Sequence, residues 1–185
     1  MTRPGPRERL LAATSTLSYT EGVGVGLDAI LRTADVARRS VYQHFGGKDN
    51  LLAETIGEAS RADLDMIAER MDRAGTDPRA RLLAFLDFYL DRSAQTYFRG
   101  CRFVAADLGL PDPEHPVHVR TRLHYERMRD FLMIELSALG HPDGAGAADR
   151  LQLIVEGMLA QRGTRPGAGP EAAARALFEQ VLEER

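Results

Sequence analysis

The chain has 185 residues, 44% hydrophobic and 28% charged, with a net charge of −3. That is enough for one large globular domain, or for a small module joined to a larger one. No apolar run reaches the roughly 18 residues of a membrane span, and Met1–Arg7 lacks the apolar core of a secretory signal. The single cysteine, Cys101, excludes an internal disulfide and fits a reducing cytoplasm, so a cytoplasmic location without a membrane partner is expected. The charge is uneven. Residues 1–50 carry seven Lys/Arg and five Asp/Glu, giving +2, whereas residues 51–185 carry 17 and 22, giving −5. A mildly basic opening on an acidic body suits a DNA-facing end on a body that avoids DNA.

Pro6 to Thr20 reads as a first helix, with Leu10, Leu11, Thr14 and Leu17 on one buried stripe. Gly22-Val23-Gly24-Val25-Gly26 ends it. No strand precedes these glycines and no lysine follows, so they predict a cap and connecting loop rather than a phosphate loop. Leu27 to Ala34 makes a second helix, with Leu27, Ile30, Leu31 and Ala34 inward and Asp28 at its positive end. Asp35 marks the turn, where aspartate tolerates left-handed geometry, though less well than glycine. A third helix follows over Ala37 to Phe45. At about 100° per residue, Ala37, Val41, His44 and Phe45 fall on one side, and Arg38, Arg39, Tyr42 and Gln43 on the other. The second side offers two guanidinium groups, a phenol and an amide, a set suited to phosphates and base edges. Gly46-Gly47 breaks the helix, and Lys48, the only lysine, opens the next.

The order Leu10-Leu11-Ala12-Ala13, Leu17, Gly22, Ile30, Ala34-x-Val36-Ala37, then Tyr42-x-His44-Phe45-x-x-Lys48-x-x-Leu51, resembles the TetR family of ligand-controlled transcriptional repressors. The resemblance implies an all-α protein of about nine helices. Residues 1–50 would be a three-helix helix-turn-helix DNA-binding domain, and residues 51–185 a regulatory domain that binds ligand and dimerises. Carried over by position, Arg38 and Arg39 face bases or phosphates, Ser40 and Tyr42 hold phosphates, Gln43 reaches base edges and Lys48 pins the backbone. His44 is counted with them, although it and Phe45 are mainly structural. Arg3, Arg7 and Arg9 are arm or phosphate contacts, or an ordinary solvated terminus. Three positions depart from the family pattern: Ser18 replaces an aromatic, with Tyr19 beside it as a substitute filler, Gly26 lacks a hydroxyl, and Asp35 replaces the turn glycine.

In the body, Asp49 to Met71 reads as one helix, the lever from ligand site to DNA reader. Asp77-Pro78 starts another, Arg79 to Tyr97, apolar around much of its circumference and so central. A short helix closes at Gly109-Leu110-Pro111, and Pro116 to Leu139 makes the next. Two final helices cover Ala147 to Arg162 and Glu171 to Glu183, joined by a linker, residues 163–170. Leu153, Gly157 and Ala160 on one, and Ala173 and Leu177 on the other, form a second, small apolar face that suits a paired interface as well as a core. The family resemblance assigns it to a homodimer contact, which would set two reader helices one DNA turn apart, or a multiple, on a palindromic operator.

Phe85, Phe88, Tyr89, Phe103, Tyr125 and Met128 either line an apolar pocket for a small organic effector or simply fill the core. Cys101, near Arg99 and Arg102, is a redox sensor or a small core hydrophobe. Asp112, Glu114, His115 and His118 are a metal set or scattered loop groups, and no cofactor or metal is expected. No catalytic motif is present, so an enzyme is not expected. The rival to a DNA-binding repressor is a helical small-molecule-binding protein with a decayed DNA module, which the departures at Ser18, Gly26 and Asp35 motivate.

Overall fold

The computed structural model describes residues 3–164 and 169–184. Among the described residues there are nine helices and no strand: α1 (Pro6–Thr20), α2 (Leu27–Ala34), α3 (Arg38–Phe45), α4 (Lys48–Arg73), α5 (Pro78–Ser93), α6 (Arg102–Leu108), α7 (Pro116–Leu139), α8 (Gly144–Thr164) and α9 (Gly169–Leu182). Positions 165–168 of the expected linker lie outside the described residues. No described helix is long and apolar enough to cross a membrane.

The chain gathers into two compact units, whose boundaries fall inside α4, just before α6 and inside α7. The first holds α1 to α3, α4 as far as Ala62, and Arg102–His124. Its three-helix core is made of Leu10, Leu11, Ile30, Ala34, Val41, Phe45 and Leu51, with α1 packed on both α2 and α3. Tyr19 is not in that core. Its ring lies 5.0 Å from the guanidinium of Arg102, on α6. Further along, Phe103 stacks on the buried ring of His124 at 3.6 Å, and His124 Nδ1 lies 3.0 Å from Ser60 Oγ on α4. At the end of α6 the backbone of Gly109 comes so close to the loop before α2 that a Cβ there would stand 2.7 Å from Val23 Cγ2.

The second unit holds Asp63–Cys101 and the chain from Tyr125 onward. Here α5 is the most enclosed element, burying Leu82, Ala84, Phe85, Leu86, Phe88 and Tyr89. Its start follows from Asp77, whose carboxylate accepts from the N–H groups of Arg79 and Ala80, and from Pro78 at the first position. Its end is earlier than the expected Tyr97. Leu90 O still accepts from the N–H of Ala94, with Ser93 Oγ beside it, but Asp91 O is taken by Gln95 Nε2 while the N–H of Gln95 turns to Arg92 O, so the helical ladder stops there. Asp63 is buried on α4 and paired with Arg92, whose guanidinium lies 5.1 Å from the ring of Phe88.

In α8, Leu151, Val155, Met158 and Leu159 are buried, as are Ala174, Phe178, Val181 and Leu182 in α9. Leu153, Gly157, Ala160, Ala173 and Leu177 are all exposed, Leu153 at 72%.

Candidate nucleic-acid interface

Apart from Arg3, Arg7 and Arg9 near the N-terminus, every residue expected to touch DNA lies on α3 or the first turn of α4, in the first unit. Val41 and Phe45 anchor α3, 0% and 5% exposed. They are one turn apart and press a narrow stripe onto α1 and α2. Arg38, Arg39, Tyr42, Gln43 and His44 are exposed, while Ser40 and Lys48 are half-buried. Two positions differ from the expected faces. Ala37 is exposed because it is the N-cap, with extended backbone (φ −73°, ψ 148°), so its side chain does not follow the helical phase. His44 is exposed on the flank of the stripe, its ring edge-on to Phe45 at 6.2 Å.

Both ends of this helix are fixed by backbone geometry. Gly46 adopts φ 76° and its N–H donates to Tyr42 O, stopping α3 after two turns. Asp35 adopts φ 52°, ψ 55°, the left-handed conformation that the turn requires. Arg9 Nη1 donates to Ala34 O at 3.0 Å and to Asp35 O at 2.8 Å, satisfying carbonyls left open at the end of α2. Arg3 pairs with the Asp35 carboxylate. That pairing, with the charges of Arg3 and Arg9, holds the carboxyl below the usual carboxylate range. Arg7 pairs with Glu54 and Glu58 of α4 and lies over the Phe45 ring. The three N-terminal arginines are therefore partnered within the module, Arg3 through a pair that remains open to solvent.

The cations of the exposed face are not equivalent. Arg38 is paired with Asp28 of α2. Arg39 and Lys48 make no ion pair or side-chain hydrogen bond with the described residues. Their charge is open to an external anion. The signal for the Asp28–Arg38 and Arg9–Asp35 pairs is weak in a sequence, because residues 10 and 26 apart share no helical period.

His115 and His118 use their ring nitrogens within the chain. His115 Nδ1 accepts from the N–H of Val117, and Nε2 lies 3.4 Å from Asp49 Oδ1. His118 faces Asp107 Oδ1 through Nδ1 at 2.7 Å and Asp112 O through Nε2 at 3.0 Å. No group of three or more His, Cys, Asp or Glu among the described residues is arranged to hold a metal.

The residues expected around an effector divide between the units. Phe85, Phe88, Tyr89 and Met128 are buried together in the second, with Tyr89 Oη 3.3 Å from Met128 Sδ. Tyr125 packs against them and donates to Glu156 Oε1 at 3.0 Å, with Cys101 Sγ 3.4 Å from its hydroxyl. Phe103 belongs to the first unit. Burial pushes the Tyr89 and Tyr125 phenols well up and raises the Glu156 carboxyl, the last opposed by hydrogen bonds from Tyr125 and Cys101.

Residues 10–55, which span α1 to α3 and the start of α4, match the family model described as "Bacterial regulatory proteins, tetR family". Two crystal structures extend the likeness to almost the whole chain. A TetR-type regulator of Streptomyces avermitilis (sav143) is 31% identical, with 96% of this chain and 98% of that chain covered and a TM-score of 0.82. SCO4454 of Streptomyces coelicolor, a TetR-family transcriptional regulator, is 30% identical, with 96% and 94% covered and a TM-score of 0.82. The chain belongs to the TetR family. It is accordingly a DNA-binding transcriptional regulator and not an enzyme. Among curated relatives, "HTH-type transcriptional regulator LmrA" of Bacillus subtilis is 37% identical over 82 residues, 43% of each chain. The chain thus spans less than half the length of that relative.

Proposed function

We propose that this TetR-family regulator is a homodimeric repressor of a palindromic operator, released in the cytoplasm by a small organic effector. Residues 1–50 are its DNA-binding domain and residues 51–185 its regulatory and dimerising domain. The observation that carries the reading is the asymmetry of α3: Val41 and Phe45 are locked into the core while Arg39, Tyr42 and Gln43 are left free toward solvent. In this reading Gln43 and Arg38 meet base edges, Arg39, Ser40, Tyr42 and Lys48 meet phosphates, and His44 flanks them.

The exposed apolar face of Leu153, Gly157, Ala160, Ala173 and Leu177 supports pairing through α8 and α9. The effector's place is the aromatic interior of the second unit, where Phe85, Phe88, Tyr89 and Met128 pack with Tyr125, whose hydroxyl donates to Glu156. An effector acts by binding more tightly to the conformer in which the reader helices are wrongly spaced. The rival, a ligand binder with a decayed DNA module, loses its motive at Asp35, since that residue takes the required conformation and is held there by Arg9.

Selection of bound fragments from genomic DNA tests the proposal. A repressor enriches a palindromic sequence that the effector-bearing protein releases; a decayed module enriches none.

A further inference from the structure

We infer that Asp28 is a positioning residue for Arg38 and thereby sets base preference in the operator. The inference rests on the reading that α3 enters the major groove. Asp28 sits in the first turn of α2 and Arg38 is the first residue of α3, so their ion pair crosses the helix-turn-helix turn. The two side chains are 71% and 54% exposed, and so open a pair contributes little to stability. Its effect is on conformation and charge.

A free arginine samples many rotamers. Here Nη2 of Arg38 donates to Asp28 Oδ1, which biases the guanidinium toward one orientation at the start of the reader helix. The remaining N–H groups of the fork are left for the O6 and N7 acceptors of a guanine. The neighbour Arg39 has no such tether, so adjacent arginines are divided between a held base reader and a mobile phosphate contact.

The start of α2 fits the same division of labour. Gly26 caps that helix without a side-chain hydrogen bond, and it brings no hydroxyl to a phosphate. The Asp28 carboxylate already occupies the helix's positive end and repels a phosphate there. In this chain α2 does not clamp the backbone; it holds Arg38.

The test compares the full-length chain with Asp28→Ala, Arg38→Ala and the double variant, by selection from a random duplex library and by anisotropy titration against salt. Alanine removes both the charge and the Oδ1 acceptor of Asp28. Asp28→Ala is expected to bind random DNA more tightly, with a salt slope steeper by up to about one unit. It should also lose a guanine preference of about tenfold to a hundredfold at one position in each half-site. Arg38→Ala should lose that same preference, and the double variant should lose no more. An unchanged selected motif in Asp28→Ala would overturn the positioning role. Absence of any motif with the parent chain would overturn the DNA-reading proposal beneath it, so the two failures are distinguishable.

Discussion

Arg9 and Asp35 are joined by a hydrogen bond of 2.8 Å from the Arg9 guanidinium to the Asp35 carbonyl oxygen. The residue in the left-handed turn is therefore gripped by α1. A left-handed non-glycine residue costs about 1–2 kcal/mol, and this chain accepts that cost at the turn on which α3 pivots. The hydrogen bonds to Ala34 O and Asp35 O offset it. Removing them in Arg9→Ala should lower stability by about 1–2 kcal/mol, since two carbonyls lose a charged donor. Asp35→Gly keeps both bonds and relieves the backbone, so its stability should equal or exceed that of the parent. Urea denaturation of the three proteins distinguishes these outcomes.

His118 and Asp107 make a contribution to stability that is confined to a pH window. Hydrogen bonding to Asp107 raises the His118 imidazole above its ordinary 6.5, so its contribution is full below 6.5 and is lost as pH rises through the raised value. Burial pushes the Asp107 carboxyl up, but hydrogen bonds from Thr121 and His118 and the imidazolium charge outweigh it. The carboxyl ends below its ordinary 3.8, so its contribution is present above 3.8 and is lost as pH falls through the lowered value. Thermal melts from pH 4 to 9 should show His118→Gln losing most relative to the parent between about 4 and 6.5, with the difference shrinking at alkaline pH.

Glu156 is a carboxyl shifted in the direction opposite to Asp107. Burial raises its carboxyl above 4.5, so the folded chain binds that proton more tightly than the unfolded one and stability falls as pH rises through the raised value. Glu156→Gln keeps an acceptor for the Tyr125 hydroxyl and removes the buried charge. Its melting temperature is expected to exceed the parent's at neutral pH, and to match it most closely in acid.

Leu177 and Leu153 test the paired state. Leu177→Glu with Leu153→Glu places carboxylates on exposed positions, which leaves each fold unchanged by circular dichroism. Sedimentation velocity should then show a single subunit at concentrations where the parent sediments as a dimer. A parent that sediments as one subunit removes the paired model.

Much of this architecture is legible in the amino-acid order. Pro6, the glycines at 22 to 26 and Gly46 bound the first helices, and Val41 with Phe45 announces which side of α3 is inward. The left-handed turn at Asp35 follows from its place between two short amphipathic helices. What escapes is long-range: Arg9 reaches 26 residues to Asp35, and no local period encodes that. Phe103 shares the chemistry of Phe85 and Phe88, yet it stacks on His124 in the other unit. Aromatic composition does not say which core a ring joins. Ala37 and His44 escape for simpler reasons: Ala37 is the extended N-cap and leaves the helical phase, and a two-turn helix buries only the residues directly beneath it, which leaves His44 outside.

The central claim is that the free cations of Arg39 and Lys48 meet the phosphates of a duplex. Operator affinity measured by anisotropy across a salt series, for the parent and for Arg39→Ala with Lys48→Ala, tests it most directly. The account predicts weaker binding for the variant, with a salt slope shallower by roughly 0.9 for each phosphate that is no longer neutralised. Identical affinity and identical slope would contradict it.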